Sequence, residues 1–151
     1  MIVSSLTYSS IDLQSTVQET QSLQTANPLD GLPLYKLQRV IDYMHQHLHQ
    51  EIQLADLAKV AKMSQFYFCH LFKQSMGTSP YQFLIQQRVE RAKQLLQDEE
   101  MTISEIALEC GFSNQSHFTR RFRQLTGITP KVYRNQQKML AYGCKDSASV
   151  V

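Results

Sequence analysis

Met101 to Arg134, MTISEIALECGFSNQSHFTRRFRQLTGITPKVYR, is the stretch whose reading decides the fold. Thr102 followed by Glu105 fits a capping box, in which hydroxyl and carboxylate each satisfy an orphan backbone N–H where a helix begins. Ile103, Ile106, Ala107 and Cys110 recur at spacings of three and four and so share one face. Gly111 supplies the left-handed position that ends this short helix. Phe112 then leads into Ser113 or Asn114 as a new N-cap, and into a second helix whose Phe118, Phe122 and Leu125 again share a face. Two helices meeting across a tight glycine turn have the shape of a helix-turn-helix, in which the first braces the second. The opposite face of the second helix carries Asn114, Gln115, Ser116, His117, Arg120, Arg121 and Arg123, donors and acceptors suited to base edges and phosphates. Gly127 closes it, and Thr129-Pro130 opens a last helix as N-cap and N1, with Lys131 and Arg134 near its start.

The same pattern occurs upstream. Leu54 to Lys62, LADLAKVAK, repeats the apolar spacing of the helix at Ile103; Ser64 caps a helix over Gln65 to Met76 that ends at Gly77, and Ser79-Pro80 opens another. Leu54, Asp56, Leu57, Ala58, Ala61 and Met63 match Ile103, Glu105, Ile106, Ala107, Cys110 and Phe112 at an offset of 49. Phe68, Phe72, Gly77, Ser79 and Pro80 match Phe118, Phe122, Gly127, Thr129 and Pro130 at an offset of 50, so the second turn has gained one residue. An internal repeat makes two helix-turn-helix units instead of one chance pattern. Between them, Pro80 to Leu96 reads as one connecting helix, apolar at Phe83, Leu84, Val89, Ala92, Leu95 and Leu96. At about 1.5 Å per residue it spans roughly 25 Å, enough to hold two helices near the ~34 Å separation of successive major grooves.

The remaining segments bound the domain. Leu34, Leu37, Val40, Ile41, Met44 and Leu48 form an amphipathic stripe, the first helix. Residues 1–33 are rich in Ser, Thr and Gln, lack periodicity, and read as a polar linker or disordered arm; residues 139–151 read as a flexible tail beyond a last helix over 130–137. The domain therefore spans 34–138, with the first helix-turn-helix at 54–77, the connecting helix at 80–96 and the second helix-turn-helix at 102–127. The fold class is all-α.

Composition narrows the function. The 151 residues are 42% hydrophobic and 19% charged, with no apolar run long enough to cross a membrane and no basic-then-apolar leader, so a cytoplasmic protein with no membrane partner is expected. Residues 1–35 hold three acidic and no basic side chains, whereas residues 36–151 hold 15 basic against 10 acidic, a net +5 that suits a polyanionic partner. Cys69, Cys110 and Cys144 have neither disulfide-framework nor zinc-site spacing. The His45/His49 pair could hold a metal only with a third ligand, and none is in view; no metal and no cofactor are expected. Ser116 beside His117 suggests a nucleophile and base, but adjacent helical positions diverge by about 100°, and no orienting carboxylate accompanies them, so catalysis is not expected. A helical protein adaptor would show a contiguous exposed apolar stripe instead of polar, basic faces.

These residues resemble a known family. GFSNQSHFTRRFRQLTGITPKVYR, with LADLAKVAKMSQFYFCHLFKQSMGTSPYQF upstream and RVERAKQLL between, is similar to the DNA-binding domain of AraC/XylS transcription regulators over roughly residues 34–136. The resemblance implies about seven helices in two lobes, one helix of each lobe entering adjacent major grooves of double-stranded DNA, and an activator that touches RNA polymerase. It also implies base-reading positions at Gln65, Phe66, Cys69 and His70 in the first lobe, and at Gln115, Ser116, His117 and Arg120 in the second. Members often carry Arg or Gln where this chain has Cys69 and His70, neither of which makes the bidentate contact that Arg makes to guanine. Phe66 is expected against a thymine methyl, and Cys69 has a second reading as a redox switch on the DNA face, since an exposed thiol near cations tends toward the thiolate. Lys73, Arg88, Arg121, Arg123, Lys131 and Arg134 are the phosphate candidates, each weighed against an ordinary solvated charge. Some members are stand-alone monomers, the state expected of this chain in isolation; others join the domain to a ligand-responsive dimerisation domain.

Overall fold

The computed structural model describes residues 31–146, so the readings placed on residues 1–30 and 147–151 lie outside the described residues. Seven helices and no strand occur among them: α1 (Leu34–Gln46), α2 (Leu54–Ala61), α3 (Gln65–Met76), α4 (Pro80–Leu95), α5 (Ile103–Glu109), α6 (Gln115–Thr126) and α7 (Pro130–Asp146).

Local capping places most of these starts. Ser64 Oγ accepts from the Tyr67 N–H at 3.4 Å and Ser79 Oγ from the Gln82 N–H at 3.2 Å. Thr102 and Glu105 bond each other's backbone N–H groups reciprocally, at 3.2 and 2.7 Å. The Thr102 contacts hold the exposed Glu105 carboxyl below its ordinary range. Asn114, not Ser113, caps α6: its Oδ1 accepts from the His117 N–H at 2.8 Å.

The repeat is visible in the packing. Phe68 and Phe72 of α3 and their counterparts Phe118 and Phe122 of α6 are fully buried. It also reaches further than the motifs indicate: Leu37, Ile41, Met44 and Leu48 stand 48 positions before Ile85, Val89, Ala92 and Leu96, and all eight are buried. Helix α4 thus repeats α1 while also following the first motif. Its Phe83 and Leu84 join the first lobe's core, and its Ile85, Val89, Ala92 and Leu96 join the second's.

The two inter-helix turns share one hydrogen-bond pattern. Met63 N–H donates to Ala58 O at 3.1 Å and Phe112 N–H to Ala107 O at 2.9 Å, each reaching back five residues to close the preceding helix. The turn needs a left-handed residue, supplied by Gly111 (φ 79°) in the second lobe and by Lys62 (φ 54°) in the first. A lysine there carries a steric penalty of ~1–2 kcal/mol, partly offset by the extra chain entropy a glycine would lose on folding. Lys62→Gly is therefore expected to stabilise the chain by about 0.5–1 kcal/mol in urea denaturation; a net loss would contradict the strain.

Four expectations are corrected. The arm does not extend to residue 33: Leu32 is buried in the first core and its N–H donates to Ser75 Oγ at 2.6 Å, because an apolar side chain next to Pro33 finds space over α3. The last helix does not stop at 137 but runs to Asp146, since residues 138–142 contain no helix breaker and Gly143 alone costs only about 1 kcal/mol. Leu54, read as part of the apolar spacing of α2, is 37% exposed at that helix's first position, and Leu125, read as sharing the face of Phe118 and Phe122, is 45% exposed at the C-terminal end of α6.

Candidate nucleic-acid interface

Helices α3 and α6 follow the turns of their motifs; α3 buries Phe68 and Phe72 inward and α6 buries Phe118 and Phe122, which turns the opposite side of each helix out. On α3 the outward residues are Gln65, Phe66, His70 and Lys73; Phe66 is 87% exposed, an unusual position for a large aromatic ring. On α6 they are Gln115, Ser116, Arg120 and Arg123. Neither helix contains Asp or Glu. Both outer faces therefore present donors and positive charge, with no carboxylate on either helix to repel a phosphate, and α3 adds the exposed Phe66 ring.

The base-reading candidates divide by exposure. Gln65, Phe66, His70, Gln115, Ser116 and Arg120 are exposed, whereas Cys69 and His117 are half-buried. The His117 ring lies edge-on to Phe112 with centroids 5.5 Å apart, and its Nδ1 is 3.5 Å from Ser113 Oγ. The hydroxyl it meets belongs to the turn, not to Ser116. Burial and the nearby Arg121, Arg120 and Arg88 charges push its pKa below the ordinary value of 6.5. The sign follows: the unfolded chain binds the proton more tightly, so stability is full above about pH 6.5 and is lost as pH falls through the folded pKa. An NMR titration of the free chain is expected to place His117 below 6.5; a value at or above 6.5 would contradict this.

The phosphate candidates divide more sharply. Lys73, Arg123 and Lys131 are exposed, and neither they nor Arg120 has an ion-pair partner among the described residues. Arg121 is half-buried, 5.9 Å from the Tyr81 ring centroid, with Nη1 donating to Gln124 at 3.1 Å. It edges a hollow of about 180 Å³ between α4 and α6, lined also by Tyr81, Gln82, Gln86 and Leu125. Arg134 is half-buried and donates from Nη2 to Met101 O at 2.7 Å, tying α7 to the residue before α5's cap.

Arg88 is a correction. It is 6% exposed, its Nε donates to Leu48 O at 3.1 Å and its Nη2 to Gln50 O at 2.7 Å, so it cannot reach a phosphate. Desolvation lowers its pKa, yet both carbonyls solvate the charge. The signal was available: Arg88 stands 48 positions after the buried Val40, on the repeat's inner face. A residue overlooked on the outer side is Gln124, four after Arg120 and hence its neighbour on the helix surface.

The remaining chemical candidates are engaged elsewhere. His45 Nε2 lies 2.9 Å from Gln87 Oε1 and His49 Nε2 lies 3.1 Å from Gln50 Nε2; among the described residues no three His, Cys, Asp or Glu side chains are grouped to hold a metal. Burial pushes the Cys110 thiol up to about 11, so it stays protonated. Among the described residues no helix is long and apolar enough to cross a membrane.

Comparison with known proteins gives a family, a curated relative and two solved structures. A family model described as a helix-turn-helix domain matches residues 57–136. "Probable transcriptional regulator LumQ" of Photobacterium leiognathi is 41% identical over 92 residues, covering 61% of this chain and 37% of that protein. Among solved structures, the DNA-binding domain of the global transcriptional factor AdpA, in complex with a target DNA, superposes with a TM-score of 0.66 at 33% identity, covering 69% of this chain and 94% of that one. A transcriptional regulator with an AraC-type DNA-binding domain from Chromobacterium violaceum gives a TM-score of 0.64 at 34% identity, covering 68% and 91%. The chain spans less than half the length of the curated relatives it matches, 37% and 49% of two of them.

Proposed function

Because this chain belongs to the AraC-type helix-turn-helix family of DNA-binding transcription regulators, and not to a family of enzymes, we propose that it reads a specific duplex by laying α3 and α6 in successive major grooves. The observation that carries this reading is the pair of outward faces free of carboxylates, one on each recognition helix. Phe66, Gln65 and His70 read the first half-site, with Phe66 on a thymine methyl; Gln115, Ser116 and Arg120 read the second, with Arg120 on guanine. Cys69 and His117, half-buried, flank the two faces. Lys73, Arg121, Arg123 and Lys131 hold phosphates, and Arg134 acts mainly by tying α7 to the lobe. The regulator works in the cytoplasm and activates by contact with RNA polymerase, binding as a monomer when this domain is isolated.

Selection of the purified chain against a random duplex library at about 150 mM salt tests the reading. The expected result is a motif with two half-sites about 10 bp apart. Recovery of no motif, or of a single half-site, would overturn two-groove reading. With four phosphates neutralised, the slope of log K against log salt is expected near about −3.6; a slope near zero would remove the electrostatic contribution.

A further inference from the structure

The two lobes meet at one buried polar junction. Leu48 and Gln50 follow α1 in the first lobe, and their carbonyls both accept from the Arg88 guanidinium, which rises from the middle of α4. The same guanidinium lies 5.9 Å from the centroid of Phe112, a core ring of the second lobe. Gly111, in the second lobe's turn, faces this group directly: a Cβ there would run into Leu48 O and come within 2.9 Å of Arg88 Nη2. One side chain thus connects the end of α1, the shared helix and the turn that aims α6.

Comparison of the two repeats shows that the junction is specific to the interface between lobes. The counterpart of Arg88 in the first lobe is Val40, an ordinary buried aliphatic. The counterpart of Gly111 is Lys62, exposed and left-handed, so a left-handed turn alone does not exclude a side chain here. The arginine and the missing Cβ occur together where the lobes touch.

We propose that Arg88, seated against Gly111, is a positioning residue that sets the orientation of one recognition helix relative to the other, and thereby the half-site spacing the protein accepts. The inference rests on the two-groove reading above. Bidentate capture of two carbonyls by a planar fork fixes both distance and direction, which an ammonium or an apolar chain cannot do. A rigid link raises the effective concentration of the second helix at one spacing and lowers it at others.

The test measures binding of the full chain, Arg88→Met and Arg88→Lys to duplexes carrying the two selected half-sites at the selected spacing, at one and two base pairs either side, and to a duplex with one half-site. Wild type is expected to show a sharp optimum. Arg88→Met is expected to bind the single half-site within about twofold of wild type, to lose about tenfold at the optimal spacing, and to show a flattened spacing profile. A wild-type profile in Arg88→Met, or an equal loss on the single half-site, would overturn the proposal. A wild type that binds its motif with no spacing dependence would instead remove the two-groove reading. Should Arg88→Met fail to fold, residual dipolar couplings of Arg88→Lys decide: wild-type lobes share one alignment tensor, the variant's lobes are expected to need two, and one shared tensor in the variant would overturn the proposal.

Discussion

Phe118→Ala is expected to destabilise the chain by about 3–5 kcal/mol, the usual cost of emptying a buried phenylalanine site. Phe118 is fully buried and lies between two other rings of the second lobe, with centroids 5.1 Å from Phe112 and 5.5 Å from Phe122; Phe122 in turn meets Tyr133 at 5.5 Å. Removing it opens a cavity at the centre of an aromatic chain that spans α6, the turn before it and α7. Neighbouring rings cannot collapse into the gap without breaking their own edge-to-face contacts, so little of the loss is recovered. Since whole domains are stable by only about 5–15 kcal/mol, this one truncation takes a large share. Urea denaturation followed by far-UV circular dichroism measures it, and a loss below about 1 kcal/mol would show that the rings do not form the second lobe's core.

Gly111→Ala is expected to be the next largest, at about 3 kcal/mol, and its size is informative only beside Gly127→Ala. The two glycines have nearly the same backbone, φ 79° and 84°. Alanine at either position pays the left-handed penalty of ~1–2 kcal/mol. At Gly127 a Cβ would meet nothing within 4 Å, so that penalty, less the chain entropy that alanine saves, is the whole effect. At Gly111 it would meet the Leu48 carbonyl oxygen, and backbone cannot be moved aside as a flexible side-chain end can. Relief requires the lobes to part or Arg88 to surrender a carbonyl, leaving a buried charge short of a partner. Equal losses for the two variants, measured by the same denaturation, would mean that the turn and not the lobe contact sets the requirement for glycine.

Much of this protein was determined by local sequence. Capping residues, apolar spacing and glycine stops are properties of short stretches, so α3, which spans Gln65–Met76, begins after Ser64 and ends at Gly77 as the sequence predicts. The exposed candidates on α3 and α6 were equally legible, because a helix that points Phe68 and Phe72, or Phe118 and Phe122, inward turns the residues on its opposite side outward. The repeat supplied the pairing of the two motifs. Local sequence was a poor guide wherever a residue's role depends on what packs against it from a distant part of the chain. Arg88 carries a charge that reads as solvated, and only the carbonyls 38 and 40 positions earlier make its burial tolerable. Leu32 sits in a polar, turn-forming stretch and is buried because α3 leaves room beneath it. Lys62 occupies a position that favours glycine, while Gly111 occupies one that requires it, and the difference lies wholly in the presence of Leu48 and Arg88 beside the second turn. Sequence determined the helices and their outward faces, since both follow from hydrogen bonds and periodicity within a few residues. Tertiary structure decided which charges are free for DNA and how the two faces are held together, because desolvation and close contact arise only when separate segments meet.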